Sequence, residues 1–129
     1  MKTFIAKGTF DVSVKPEDQN RVNGITFGRH CVQKTFGGDL EGTSKFDMHS
    51  AGTDTGAGAY VAIESVTGTL QGRSGTFLLM HSGTMTPTSQ QLTIIVAPGC
   101  STGALAGLEG KFTIEVVDKK HFYVFEYTL

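Results

Sequence analysis

Tyr60-Val-Ala-Ile-Glu64-Ser-Val66-Thr-Gly68-Thr-Leu70-Gln-Gly72-Arg73-Ser-Gly75-Thr-Phe77-Leu-Leu79-Met-His81 is the stretch on which the fold turns. Two apolar-rich runs flank Gln71-Gly72, a loop too short for anything but an antiparallel return, since a parallel crossover needs a dozen or more residues. A two-residue loop pairs Leu70 with Arg73, and the register then sets Ala62 opposite His81 and Glu64 opposite Leu79. With side chains alternating between faces, Tyr60, Glu64, Phe77, Leu79 and His81 share one face. Glu64 and His81 become diagonal neighbours, within reach of long side chains.

The same period of two runs outward in both directions. Phe4, Ala6, Gly8, Phe10, Val12 and Val14 alternate with mainly polar residues, and so do Leu40, Ser44, Phe46 and Met48. Eight strands are predicted, over about 3–14, 25–36, 40–49, 57–69, 74–85, 90–97, 111–117 and 121–129. Short turns such as Gly37-Gly38-Asp39, Thr86-Pro87 and Asp118-Lys119-Lys120 separate them. The only helix-like piece is Pro16 to Val22, with Pro16 suited to a first helical position. The predicted class is therefore all-β, one antiparallel barrel of eight strands over residues 1–129, with a two-sheet sandwich as the alternative.

Within this frame Gly68-Thr-Leu70-Gln-Gly72-Arg-Ser-Gly75-Thr-Phe77 echoes Gly103-Ala-Leu105-Ala-Gly107-Leu-Glu-Gly110-Lys-Phe112 at five positions, which suggests two similar hairpins. Several later strands are apolar on both faces: Phe77 and Leu79 alternate with Leu78 and Met80, Ile94 and Val96 with Ile95 and Ala97, and Tyr123 and Phe125 with Phe122 and Val124. No amphipathic helix is long enough to cover an outer face, so a homo-oligomer is expected.

Composition narrows the function classes. The chain has 129 residues, 39% hydrophobic and 18% charged, an ordinary globular balance. A net charge of −1 argues against nucleic acid or an anionic membrane as partner. No apolar run approaches the roughly 20 residues that span a bilayer. Lys2 could begin a signal peptide, but the run Phe4-Ile5-Ala6 stops at Lys7, so a cytoplasmic protein is expected. Cys31 and Cys100 show no motif spacing and read as free thiols. The histidines at 30, 49, 81 and 121 form no His-x-His or His-Glu-x-x-His pair, and no Cys-x-x-Cys exists, so neither a metal nor a cofactor is expected. Gly72-Arg-Ser74-Gly75 is not a nucleophile elbow, because residue 76 is Thr and no strand-to-helix turn is predicted. No Gly-x-Gly-x-x-Gly cradle is present.

The chemistry-bearing candidates are Glu64 and His81, a carboxylate able to fix the tautomer of an imidazole and raise its basicity. A buried structural pair satisfying its own hydrogen bonds would use the same two residues. Tyr60, Phe77, Leu79, Tyr123, Phe125 and Tyr127 are candidate ligand contacts, and plain core or oligomer interface is the competing reading of the last row. Three functions fit these residues: a barrel holding a small apolar or aromatic molecule, an isomerase or cyclase using the Glu64–His81 pair, and a filled oligomeric scaffold. Glu41 falls on the outward parity of its strand and is left out of the pocket.

Four segments, Lys34-Thr-Phe36-Gly-Gly-Asp39-Leu40-Glu41-Gly42, Glu64 to Phe77, His81-Ser-Gly83-Thr and Gly103-Ala-Leu105-Ala-Gly107-Leu108-Glu-Gly110, together resemble the bacterial family known as domain of unknown function 3224. The likeness runs from about residue 3 to residue 129, and the Gly-Arg-Ser-Gly turn followed by His81-Ser-Gly83 is its most specific part. That family is similar in fold to allene oxide cyclase barrels and more distantly to calycin-type barrels. The resemblance implies an eight-stranded barrel with an apolar interior, in oligomers, and it carries over no reaction and no catalytic residue.

Overall fold

The computed structural model describes residues 2–129. Eight strands run in chain order around a closed antiparallel barrel: β1 Thr3–Val22, β2 Ile25–Gly38, β3 Leu40–Thr53, β4 Gly58–Leu70, β5 Arg73–Thr86, β6 Ser89–Val96, β7 Glu109–Val117 and β8 Lys120–Thr128. The decisive hairpin has the expected register, with Leu70 opposite Arg73, Glu64 opposite Leu79 and Ala62 opposite His81. Gln71 and Gly72 both have positive φ, 46° and 88°, the conformation of a two-residue turn whose twist matches that of the strands it joins.

Two sequence expectations are corrected. Residues 16–22 are not helical but continue β1, paired with β2 from Asp18↔Arg29 to Val22↔Ile25. A helix of this length is marginal on its own, whereas the ladder satisfies its backbone. The turn that makes this possible is Asn23-Gly24, again with both φ positive. Pro16 sits beside a register shift between Pro16 and Asp18, on a stretch that β8 no longer flanks, which suits a residue with no N–H to donate. The second correction concerns the echoed segment. Gly103–Leu105 is a 3₁₀ turn rather than a strand, so only Gly68–Phe77 is a hairpin. The chemistry of the echo persists: Leu70 and Leu105 are both fully buried, and Gly72 and Gly107 both have positive φ.

The barrel is filled at one end and open at the other. Leu105 and Leu108, from the β6–β7 connection, plug the closed end beside Leu40 and Leu70. Gly75 lets this plug approach, since a Cβ there would lie 2.1 Å from the Thr102 carbonyl oxygen. Above the plug Phe36, Phe77, Phe112, Tyr123 and Phe125 form a dense aromatic layer, with Phe112 stacked on Tyr123 at 5.2 Å between ring centroids. The Tyr123 hydroxyl accepts from the Leu40 amide (2.8 Å) and lies 2.9 Å from the Gly37 carbonyl oxygen, to which it donates, so it pins the β2–β3 turn from inside. Buried aromatics need such a partner for their polar end.

Toward the open end the strands become unequal. β1 pairs with β8 only as far as Phe10↔His121, and β6 meets β7 at a single pair, Ile95↔Lys111. The upper parts of β1 to β6 therefore rise beyond the closed wall. On the outside, Ile63, Met80 and Ile95 lie in register across β4, β5 and β6 and are 63%, 44% and 40% exposed. Glu41 is exposed, as its parity predicts. Both cysteines are free, Cys31 half-buried and Cys100 exposed. Among the described residues no helix is long and apolar enough to cross a membrane.

Candidate functional site

Where the filled core ends, the inward positions turn polar. β2 contributes Lys34 between Val32 and Phe36, β3 contributes Ser44, β4 Glu64 and β5 His81, and all four are buried. Glu64 is fully enclosed and organises the others. Its Oε1 accepts from His81 Nε2 at 2.7 Å and from Lys34 Nζ at 3.2 Å, and its Oε2 accepts from the Ser44 hydroxyl at 2.6 Å. Burial by itself pushes this carboxyl up. The His81 hydrogen bond, the Lys34 charge and the Ser44 hydroxyl together outweigh it and hold the group below the usual carboxylate range.

An ionised carboxylate only accepts, so His81 must present its N–H at Nε2. In the neutral ring the lone pair then lies on Nδ1, 3.4 Å from the Tyr60 hydroxyl. Phe46 stacks on the imidazole at 5.4 Å and 24°, which fixes its plane. Tyr60 reaches this place because its cross-strand partner is Gly83, over which its ring lies. A Cβ on Gly83 would come within 2.4 Å of the Tyr60 ring. Burial and the Glu64 charge push the Tyr60 hydroxyl up, so it stays protonated and able to donate. Lys34 Nζ spends one donor on Glu64 and otherwise lies over aromatic faces, 4.8 Å from the Phe10 centroid and 5.3 Å from that of Phe46.

A cavity of about 230 Å³ sits on this layer. Val12, Val32, Phe46, Met48 and Ile114 make its apolar wall, and Lys34, Tyr60, His81 and His121 bring the polar atoms. His121 stacks against Phe10 at 5.0 Å. Through Met48 and Tyr60 the cavity adjoins a wider recess of about 890 Å³ between the tall strands, where His30 keeps a buried Nδ1 with no partner among the described residues. A further concavity of about 610 Å³ runs over the outside of β1 to β4, lined by exposed residues such as Thr35, Thr43, Lys45 and Thr67. Lys34 and Ser44 belong to the lining of this outer concavity as well, but of these sites only the inner cavity is lined by His81.

The structure thus brings Glu64, His81 and Tyr60 together. Phe77, Leu79, Tyr123, Phe125 and Tyr127 are buried in the aromatic floor beneath, not on the cavity wall, and Tyr127 is tied by its hydroxyl to Gln71. Lys34, Ser44, Phe10 and Phe46 were missed as site residues. The signal for Lys34 was present, because strict alternation along Val32, Lys34 and Phe36 turns the lysine inward. Among the described residues no three His, Cys, Asp or Glu side chains are grouped to hold a metal ion.

A family model described as a protein of unknown function, DUF3224, matches residues 6–127. A solved structure from that family, a protein with unknown function from Shewanella oneidensis MR-1, is 40% identical to this chain. The match covers 99% of this chain and 98% of that one, with a TM-score of 0.93. No curated protein matches the chain.

Proposed function

The chain belongs to the DUF3224 family of unknown function, and on that footing we propose that it binds a small, mainly apolar or aromatic molecule carrying one anionic or carbonyl oxygen in the open half of its barrel. The observation that carries this reading is a buried cation, Lys34, which joins Tyr60, His81 and His121 in lining a cavity whose remaining wall is apolar. Val12, Val32, Phe46 and Met48 supply contact area, and Tyr60 and His81 orient the polar group. The volume lies below the roughly 300–1,000 Å³ of drug-sized sites, which favours a ligand of about one ring.

A second copy of the chain is the partner expected for the outer face, supported by the exposed row Ile63, Met80 and Ile95.

Native mass spectrometry of protein taken directly from cells tests the binding. A small-molecule adduct that Lys34→Met loses is the expected result. Bare protein in that experiment, together with unshifted spectra on titration with benzoate, phenylacetate and cinnamate, would overturn it.

A further inference from the structure

We infer that the Lys34–Glu64–His81 cluster moves a proton on its ligand, exchanging or shifting a C–H next to a carbonyl in a small aromatic or conjugated carbonyl compound. This rests on the binding reading above and adds chemistry to it. Three placements carry it. Glu64 holds His81 by Nε2, at 2.7 Å, which leaves Nδ1 on the cavity side. The sole hydrogen-bonding neighbour of Nδ1 among the described residues is the Tyr60 hydroxyl at a long 3.4 Å, a contact that a ligand can displace. Lys34 shares the same carboxylate oxygen and lines the same cavity, so a cation and a base stand side by side over one apolar cup.

The step balances without a co-reactant. His81 Nδ1 takes the proton from the carbon beside the carbonyl. The C–H pair becomes the enolate double bond, and the carbonyl π pair moves to the oxygen, where the Lys34 ammonium holds the charge. The imidazolium returns a proton, or in D₂O a deuteron once its N–H has exchanged with solvent, to the same carbon or, in a conjugated ligand, to the far end of the double bond. Nothing is oxidised or reduced. Glu64 touches no reacting atom and is a positioning residue. It holds the ring in the required tautomer and keeps the imidazolium paired.

Phenylpyruvate, whose benzylic CH₂ adjoins a carbonyl, is the probe, and loss of that signal in D₂O followed by proton NMR is the readout. Exchange proportional to protein concentration and about 10²-fold or more above buffer is expected. Lys34→Met and His81→Gln should return it to the buffer rate, whereas Glu64→Gln should slow it with the probe's Kd unchanged. If His81→Gln loses the fold by circular dichroism, Glu64→Gln decides the matter, because slower exchange at an unchanged Kd separates proton transfer from binding, which Lys34→Met removes together with it. Probe bound, as seen by protein shifts, but exchanging at the buffer rate would end the proton-transfer inference and leave binding standing. No binding at all would end both for this class, and undiminished exchange in a folded His81 variant would reassign the base.

Discussion

Removing Glu64 alone should harm the protein far more than removing it together with Lys34. In Glu64→Met, Lys34 stays 6% exposed with no anion, and the Ser44 hydroxyl and His81 Nε2 lose their partner. Breaking a buried ion pair from one side costs about 3–5 kcal/mol. A domain of this kind has only about 5–15 kcal/mol in all. At a urea slope of about 2 kcal/mol per molar, a loss of about 4 kcal/mol moves the unfolding midpoint down by about 2 M. Lys34→Met should cost less, since Glu64 retains two of its three donors. The double variant Lys34→Met/Glu64→Met should recover most of the loss, because replacing a buried pair with apolar residues of similar volume is often neutral or stabilising. The assay is a double-mutant cycle in urea at neutral pH. A Glu64→Met cost below about 1 kcal/mol, or a double variant no better than Glu64→Met, would refute the claim that this carboxylate neutralises a buried lysine.

Acid should act through the same residue. The folded-state Glu64 carboxyl lies below its ordinary value, so its contribution is complete above the unfolded-state pKa of about 4.3 and is lost as the pH falls through the folded value. The advantage of the wild type over Glu64→Gln should be flat from neutral to about pH 5 and should shrink below that in urea titrations at each pH; a gap that widens on acidification would contradict the sign. Tyr123→Phe strips the hydrogen-bond partner from the buried Leu40 amide and should cost about 1–3 kcal/mol, with faster hydrogen exchange at Leu40 as its local signature. Light scattering at micromolar concentration should give a mass above one chain for the wild type, and Ile63→Lys should lower it; a single-chain mass for the wild type removes the oligomer.

Most of the barrel was legible because its strands carry their own parity and its turns their own chemistry. Gln71-Gly72 set a register that placed Glu64 against Leu79 and His81 against Ala62, and the structure has both pairs. The upper half of β1 was not legible, because Pro16 followed by charged residues imitates a helix start, while the Asn23-Gly24 turn that reveals the hairpin lies beyond it. At the site, a pair could be inferred from one hairpin, but the cluster needs four strands. Lys34 reaches Glu64 across β3, and that closure depends on barrel curvature, which no local pattern encodes. The aromatic positions on β8 were visible as a row, yet their depth along the barrel axis was not. That depth is set by the Leu105 and Leu108 plug, whose 3₁₀ turn resembled another hairpin.

The lone Ile95↔Lys111 rung gives the wall a built-in zipper end. Every other junction between neighbouring strands is a ladder of eight or more pairs, so this line is where thermal opening is expected to begin. The molecule is topologically a tube and mechanically a rolled page, held at its foot by the Leu105–Leu108 plug and free to spread at its head. If the proposed binding holds, a ligand would not have to thread the mouth from above but could enter sideways through this seam, away from the Glu64 cluster, whose members stand on β2, β3, β4 and β5 in the continuous part of the sheet.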